Sequence, residues 1–146
     1  MNQAAKDFIE EKKIALVGVS RDPKKFGQAV LTDLKNRGYE VFPVHPEADE
    51  IAGVHCYRNL AELQGKVDAL WIGVKPEKGA EVLREAAKVG IKKIWIQQGG
   101  ESQELETLGK ELGLDLVMRK CVLMYAEPVT SFHSFHRFFV KLFGQY

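Results

Sequence analysis

The chain has 146 residues, 45% of them hydrophobic, and a formal net charge of +1. That length suits one domain with a real core, since domains usually run roughly 100–200 residues. The near-neutral charge argues against a general nucleic-acid binder, and no apolar run approaches the ~18 residues a membrane span needs.

Residues 2–11 read as a short leading helix with Ala5, Phe8 and Ile9 as its buried stripe. They pass into Glu10-Glu11-Lys12-Lys13 and not into the apolar core of a signal peptide. Two cysteines, Cys56 and Cys121, make no close-spaced pair, so free thiols in a reducing cytoplasm are expected.

The stretch 14–27, IALVGVSRDPKKFG, organises the rest of the chain. Ile14-Ala15-Leu16-Val17 is a short apolar run, as in a strand covered on both faces. Gly18 ends the run. Ser20, the cations Arg21, Lys24 and Lys25, and Gly27 come next. A helical pattern then puts Phe26, Val30, Leu31 and Leu34 on one face. Strand, glycine-and-hydroxyl turn and helix N-terminus form a layout that places free backbone N–H groups and a positive dipole end under a phosphate.

Beyond the loop, a helical segment ending in glycine leads directly into an apolar strand three times, at Gly38, Gly90 and Gly113. Strands are expected near 14–19, 39–44, 67–73, 93–97 and 115–118, and helices near 26–37, 76–89 and 102–112. Pro76 suits the first turn of its helix and Ser102 an N-cap. The section from Pro46 to Gln64 is looser. There Gly53-Val54-His55-Cys56-Tyr57 reads as a short extra strand, and Leu60 and Leu63 as a helical turn. Alternating strands and helices of this length predict a doubly wound α/β domain with a mainly parallel, five-stranded sheet. The tail 131–143, SFHSFHRFFVKLF, puts five phenylalanines on one helical face and His133, Arg137 and Lys141 on the other. It is expected to pack on the domain, with a residual edge contributing to a homodimer.

A dinucleotide fingerprint, G-x-G-x-x-G with an acidic residue about 20 positions on, is not matched. Ser20 replaces the second glycine, and no carboxylate precedes Glu47 after the second strand. A nicotinamide dinucleotide is therefore disfavoured. Three motifs in order point elsewhere: Gly18-Val19-Ser20 with Lys25 and Gly27, then Pro43-Val44-His45-Pro46, then Trp95-Ile96-Gln97-Gln98-Gly99. The set resembles the single-domain CoA-binding proteins, which are similar to the CoA-binding domain of the succinyl-CoA synthetase α subunit. The resemblance covers roughly residues 5–128.

The resemblance implies a Rossmann-like fold that holds coenzyme A, or an acyl-CoA, across the carboxyl ends of the strands. Gly18, Val19 and Ser20 would meet the phosphates, and Lys25, with Arg21 or Lys24, would neutralise them. Pro43, Val44 and His45 would line the adenosine side. Pantetheine or adenine would lie against Val74, Lys75 and Pro76, and Gln97 and Gly99 would belong to the same cofactor-binding cleft. Plainer readings stand beside these. The cations also suit a solvated loop, His45 a strand end without ligand contact, and Gln97 and Gly99 a simple chain turn. Cys121, between Met118 and Leu123, suits a buried core position better than a nucleophile. His133 and His136 with Cys121 or Glu127 lack a recognised metal-ligand spacing.

The expected protein is a cytoplasmic CoA-binding module of accessory or sensing role, with no catalytic residue nominated. The alternatives are a component of an acyl-CoA ligase or transferase, and an NAD(P)-binding protein. The synthetases it resembles carry a phosphorylatable histidine in a further domain. No matching segment is visible in this chain, which favours binding.

Overall fold

The computed structural model describes residues 3–125. The amphipathic tail at 131–143, the homodimer edge drawn from it, and His133, His136 and Glu127 lie outside the described residues.

Helix α1 (Gln3–Glu10) buries Ala5, Phe8 and Ile9, the stripe that its sequence marks out. Strand β1 (Lys13–Val17) stops two residues earlier than expected, because Gly18 turns to φ 110°. Helix α2 (Phe26–Asn36) returns to β2 (Glu40–Val44). The looser section contains a hairpin, β3 (Glu50–Ile51) and β4 (Val54–His55), where one short strand was expected. Ala52 and Gly53 both take positive φ between its strands, as tight hairpin turns require. A single 3₁₀ turn, Leu60–Leu63, is capped by Asn59 and leads to β5 (Ala69–Ile72). Then come α3 (Pro76–Lys88), β6 (Lys93–Gln97), α4 (Gln103–Glu111) and β7 (Asp115–Lys120). Pro76 stands at the start of α3, and the Ser102 side chain caps α4 by accepting from the Leu105 N–H at 3.2 Å.

The three helix-to-strand returns share one hydrogen bond. Tyr39 N–H donates to Leu34 O at 3.1 Å, Ile91 to Ala86 at 3.0 Å and Leu114 to Gly109 at 2.9 Å. This bond spans the glycine at the helix end and satisfies a carbonyl that the helix leaves open. Each return thus launches the next strand at a fixed angle.

The five strands are parallel in the order β2-β1-β5-β6-β7. This is a doubly wound, Rossmann-like α/β fold. Alternate residues face opposite layers. Ile14, Leu16, Ala69, Trp71, Trp95 and Val117 pack with α1 and α2, while Ala15, Leu70, Ile72, Ile94 and Ile96 pack with α3 and α4. Both faces being covered explains the unbroken apolar runs of β1 and β5. The register pairs Val17 with both Val44 and Ile72, which brings the carboxyl ends of β2, β1 and β5 to one rim.

Polar contacts tie the C-terminal end of α1 to the start of β2 and to β6. The Tyr39 hydroxyl donates to Ile9 O at 2.8 Å, and Lys93 Nζ lies 2.6 Å from Glu11 Oε1. The Glu11 hydrogen bond holds the Lys93 ammonium above its ordinary range. Burial pushes the Tyr39 phenol from 10.0 up to about 12, against the opposing pull of Arg37. A raised folded-state value means that Tyr39 contributes stability below pH 10.0, and that this is lost as pH rises from there towards about 12. The loss amounts to roughly 2–3 kcal/mol, at about 1.4 kcal/mol per pH unit. Tyr39→Phe should therefore be less stable at pH 7 by about 1 kcal/mol but decline less steeply between pH 10 and 12. Urea denaturation at a series of pH values checks this, and parallel decline of the two proteins would refute it.

Candidate functional site

After β1 the chain winds outward to β2, then crosses back to β5 on the other side of β1. The loops leaving β1 and β5 therefore diverge, which opens a crevice at their carboxyl ends. A cleft of ≈ 430 Å³ lies there. The β1 turn supplies Gly18 and Ser20; the head of α2 supplies Lys25, Phe26 and Gly27; β5 and its loop supply Trp71, Gly73, Val74 and Lys75; and β6 supplies Gln97 through Gly100.

The floor of the cleft is backbone against backbone. A Cβ on Gly18 would stand 2.5 Å from Gly73 O, and one on Gly27 would stand 2.2 Å from Gly18 O. A Cβ on Gly73 would meet the Trp71 ring at 2.1 Å. The Gly73 N–H donates to Val17 O at 2.8 Å, which continues the ladder one step past β5. The β1 turn, the first turn of α2 and the β5 loop thus touch through groups that admit no side chain.

Loop 18–27 braces itself. Ser20 Oγ accepts from the Asp22 N–H at 3.0 Å, and the Asp22 carboxylate accepts from the Lys24 N–H at 2.9 Å. Gln28 reaches back from α2 and donates to Ser20 O at 3.2 Å. With its oxygen so engaged, the Ser20 hydroxyl can still donate its hydrogen. Lys25 and Lys75 are the extended residues that open α2 and α3, and no side chain caps either helix start. Two positive helix ends, each with a lysine, therefore border one cleft.

On the β6 side, Gln97 is 8% exposed. Its Oε1 accepts from Trp71 Nε1–H at 3.0 Å and from the Val122 N–H at 3.2 Å. A register irregularity between β6 and β7, with Arg119 at φ 62°, sets Lys120 opposite Gln97 and turns the chain so that the Val122 N–H arrives there. The Trp95 indole N–H donates to Lys120 O at 2.9 Å and fixes that bend. The Glu101 carboxylate accepts from the Gly99 N–H at 3.0 and 3.1 Å.

The sequence-nominated residues divide. Gly18, Ser20, Lys25, Gly27, Val74, Lys75, Gln97 and Gly99 line the cleft together. Val19 turns into the core, and Pro76 opens α3 behind Lys75. Arg21 and Lys24 are exposed on the outer loop, and Arg21 faces Glu47 at 3.9 Å. Pro43 is buried in β2 and Val44 bridges to Tyr57. His45 organises the next turn, its Nδ1 accepting from the Glu47 and Ala48 N–H groups at 3.0 and 2.9 Å. Arg58 holds the same turn through Ala48 O at 2.7 Å and the Asp49 carboxylate.

Phe26, Trp71, Gly73, Gln98 and Gly100 also line the cleft; Gln98 falls inside the third motif without being singled out as a site residue, and no motif nominates the other four for it. Helical periodicity assigns Phe26 to the buried face with Val30, Leu31 and Leu34; instead it is 48% exposed, because the first residue of α2 precedes the turn that meets the sheet. A glycine directly after a strand, as at Gly73, is the signal that could have found the floor. Cys121, expected in the core, is half-buried after β7, whereas Cys56 is buried and its thiol is pushed up by that burial. Among the described residues no cluster of His, Cys, Asp or Glu could hold a metal ion, and no helix is long and apolar enough to cross a membrane.

Gly18 therefore serves the fold before it serves any ligand. Gly18→Ala puts a Cβ into the Gly73 carbonyl and strains a backbone at φ 110°. It should cost at least about 2 kcal/mol of unfolding free energy, measured by chemical denaturation. A cost below about 0.5 kcal/mol, the scale of an ordinary surface change, would show that the contact is not tight.

The family model described as "CoA binding domain" matches residues 12–127. An uncharacterized protein of Bacillus subtilis, YneT, is 32% identical over 120 residues, which cover 82% of this chain and 88% of that one. The α subunit of an ADP-forming acetate–CoA ligase II from Pyrococcus furiosus is 31% identical over 126 residues, and the match spans 79% of this chain but only 28% of the subunit. Among solved structures, a conserved hypothetical protein from Pyrococcus furiosus superposes with a TM-score of 0.74 at 42% identity, covering 77% of this chain and 97% of its own. The apo form of the dinucleotide-forming acetyl-coenzyme A synthetase 1 of Ca. Korarchaeum cryptofilum superposes with a TM-score of 0.65 at 27% identity, covering 80% of this chain and 29% of the synthetase chain. From the glycine-floored crevice to the matched span, the chain belongs to the CoA-binding domain family.

Proposed function

We propose that the cleft binds coenzyme A or an acyl-CoA, and that the chain acts as one CoA-binding domain of accessory or sensing role. The observation that carries this is the lining. Two lysines and two uncapped helix starts face the cleft, and among the described residues the lining holds no carboxylate, histidine or thiol. Such a site attracts phosphate, and its described lining offers the Ser20 hydroxyl no carboxylate or imidazole to activate it as a nucleophile. Ser20 donates to a phosphate oxygen, Lys25 neutralises charge, and the apolar walls from Phe26, Trp71 and Val74 receive the uncharged parts of the ligand. A role as one component of a ligase draws on the match to the longer ligase subunit, of which this chain spans 28%. In that setting the chemistry would belong to other segments.

Calorimetric titration with CoA, acetyl-CoA, NAD and NADP tests the reading. CoA and acetyl-CoA should bind, and the nicotinamide dinucleotides should bind far more weakly. Lys25→Gln should weaken CoA roughly 10- to 100-fold, since a charge-assisted hydrogen bond contributes about 1.5–3 kcal/mol. Ser20→Asp should abolish detectable binding by setting a carboxylate against the phosphates. Added salt should weaken the parent's binding, because exposed charges are screened over about 8–10 Å. A folded Ser20→Asp protein that binds CoA like the parent would place the site elsewhere.

A further inference from the structure

The segment 131–143 puts Phe132, Phe135, Phe138, Phe139, Leu142 and Phe143 on one helical face, and it lies beyond the residues 12–127 that the family model matches. An apolar face of that width calls for a cover. Its opposite face has Arg137 and Lys141 as fixed cations, too few for a basic membrane-surface helix, which leaves protein as the cover. Both faces of the sheet are already occupied by helices. The exposed positions of α1, α3 and α4 are all polar, and those of α3 are all charged. Helix α2 differs. Its first two turns expose Phe26, Ala29 and Thr32, which follow one another at i, i+3 and i+6 down one face and carry no charge. Phe26 is the large hydrophobic side chain left exposed among the described residues.

The described chain also ends on that side of the sheet. Tyr125 is buried in the layer of α1 and α2, with its ring 5.7 Å from Trp95, and the turn before it, Val122–Met124, packs against α2. Residues 126–130 can span up to about 17 Å when extended, at roughly 3.3–3.6 Å each, whereas packed helix axes stand only about 8–10 Å apart. The segment can therefore reach α2 directly, while α3 and α4 lie across the sheet. We propose that residues 131–143 dock as a helix along the outer face of α2, with the phenylalanine stripe on Phe26, Ala29 and Thr32. Ala29 lets the two helices approach closely, and Phe26 gives the stripe an aromatic partner. Phe26 also lines the cleft, so the docked segment raises the wall of its mouth on the α2 side. The stripe is buried within one copy of the chain, and docking does not depend on which ligand the cleft takes.

Chymotrypsin, which cleaves after aromatic residues, reads the docking in the intact chain, with the cut sites identified by mass spectrometry. Phe26→Asp combined with Ala29→Asp changes only exposed positions, so the domain should keep its fold, as circular dichroism checks. Cleavage within 131–143 should be slow in the parent and roughly 10-fold or more faster in the double variant. Thr107→Asp, at an exposed position of α4, should leave the rate unchanged. In the unaltered protein, nuclear Overhauser contacts should join the Ala29 methyl group to the phenylalanine rings of 131–143. That measurement holds even if the variant folds poorly, and absence of the contacts would overturn the assignment. Fast cleavage in the parent, or protection that survives the α2 substitutions, would overturn it as well. Protection removed by Thr107→Asp would place the segment on α4, and protection lost on dilution would mean that a second copy supplies the surface. Either result would refute docking on α2 of the same chain.

Discussion

The contact among Gly18, Gly27 and Gly73 is the constraint on which the site depends. In a doubly wound sheet the two loops at the switch point diverge, so something has to hold their bases together while the crevice opens above. Here backbone atoms do it, at separations that exclude even a methyl group. The first turn of α2 can then lie directly on the β1 turn, with its N-terminal end, which no side chain caps, at the mouth. A side chain at any of the three positions would lift one wall off the others. The lysines at the starts of α2 and α3 would then no longer border a common space.

The two ends of the cleft are built on different principles. Around loop 18–27 the loop is held by short polar contacts of its own, through Ser20, Asp22 and Gln28, and its charged groups are exposed. Such a surface works by field and by adaptable side chains. At β6 the polar group is buried, and a strand irregularity, a left-handed Arg119 and two tryptophan indoles fix its orientation. Backbone strain of this kind persists where surrounding structure enforces it. The first end presents exposed charge, the second a buried amide of fixed orientation.

Much of this was legible in the sequence. Apolar runs marked the parallel strands, the glycines after α2, α3 and α4 marked the three returns, and the ordered motifs after β1, β2 and β6 marked the family. What hid was tertiary. Trp71 lies mid-strand and reads as core, and only the fold shows its ring nitrogen turned to Gln97, 26 residues on. Phe26 obeys a helical period that its helix does not yet need. The motif at Pro43, Val44 and His45 marks the family, but its side chains in this chain shape the rim beside β2, outside the cleft's lining. Motif order reports topology well, whereas side-chain direction depends on local turns that periodicity does not encode.

The outer margin of β2 has a consequence for how copies of the molecule meet. Pro43 has no N–H to give, and its carbonyl already accepts from Tyr57, whose own carbonyl accepts from His45. At the opposite margin β7 carries exposed Asp115 and Arg119 and bends at its irregularity. A neighbouring strand seeking to extend the sheet would meet a proline and occupied partners on one side, and a kinked, charged ribbon on the other. Parallel sheets expose aggregation-prone segments while they form, and this one closes its margins with its own residues. Among the described residues, strand addition at either margin of the sheet is thereby disfavoured.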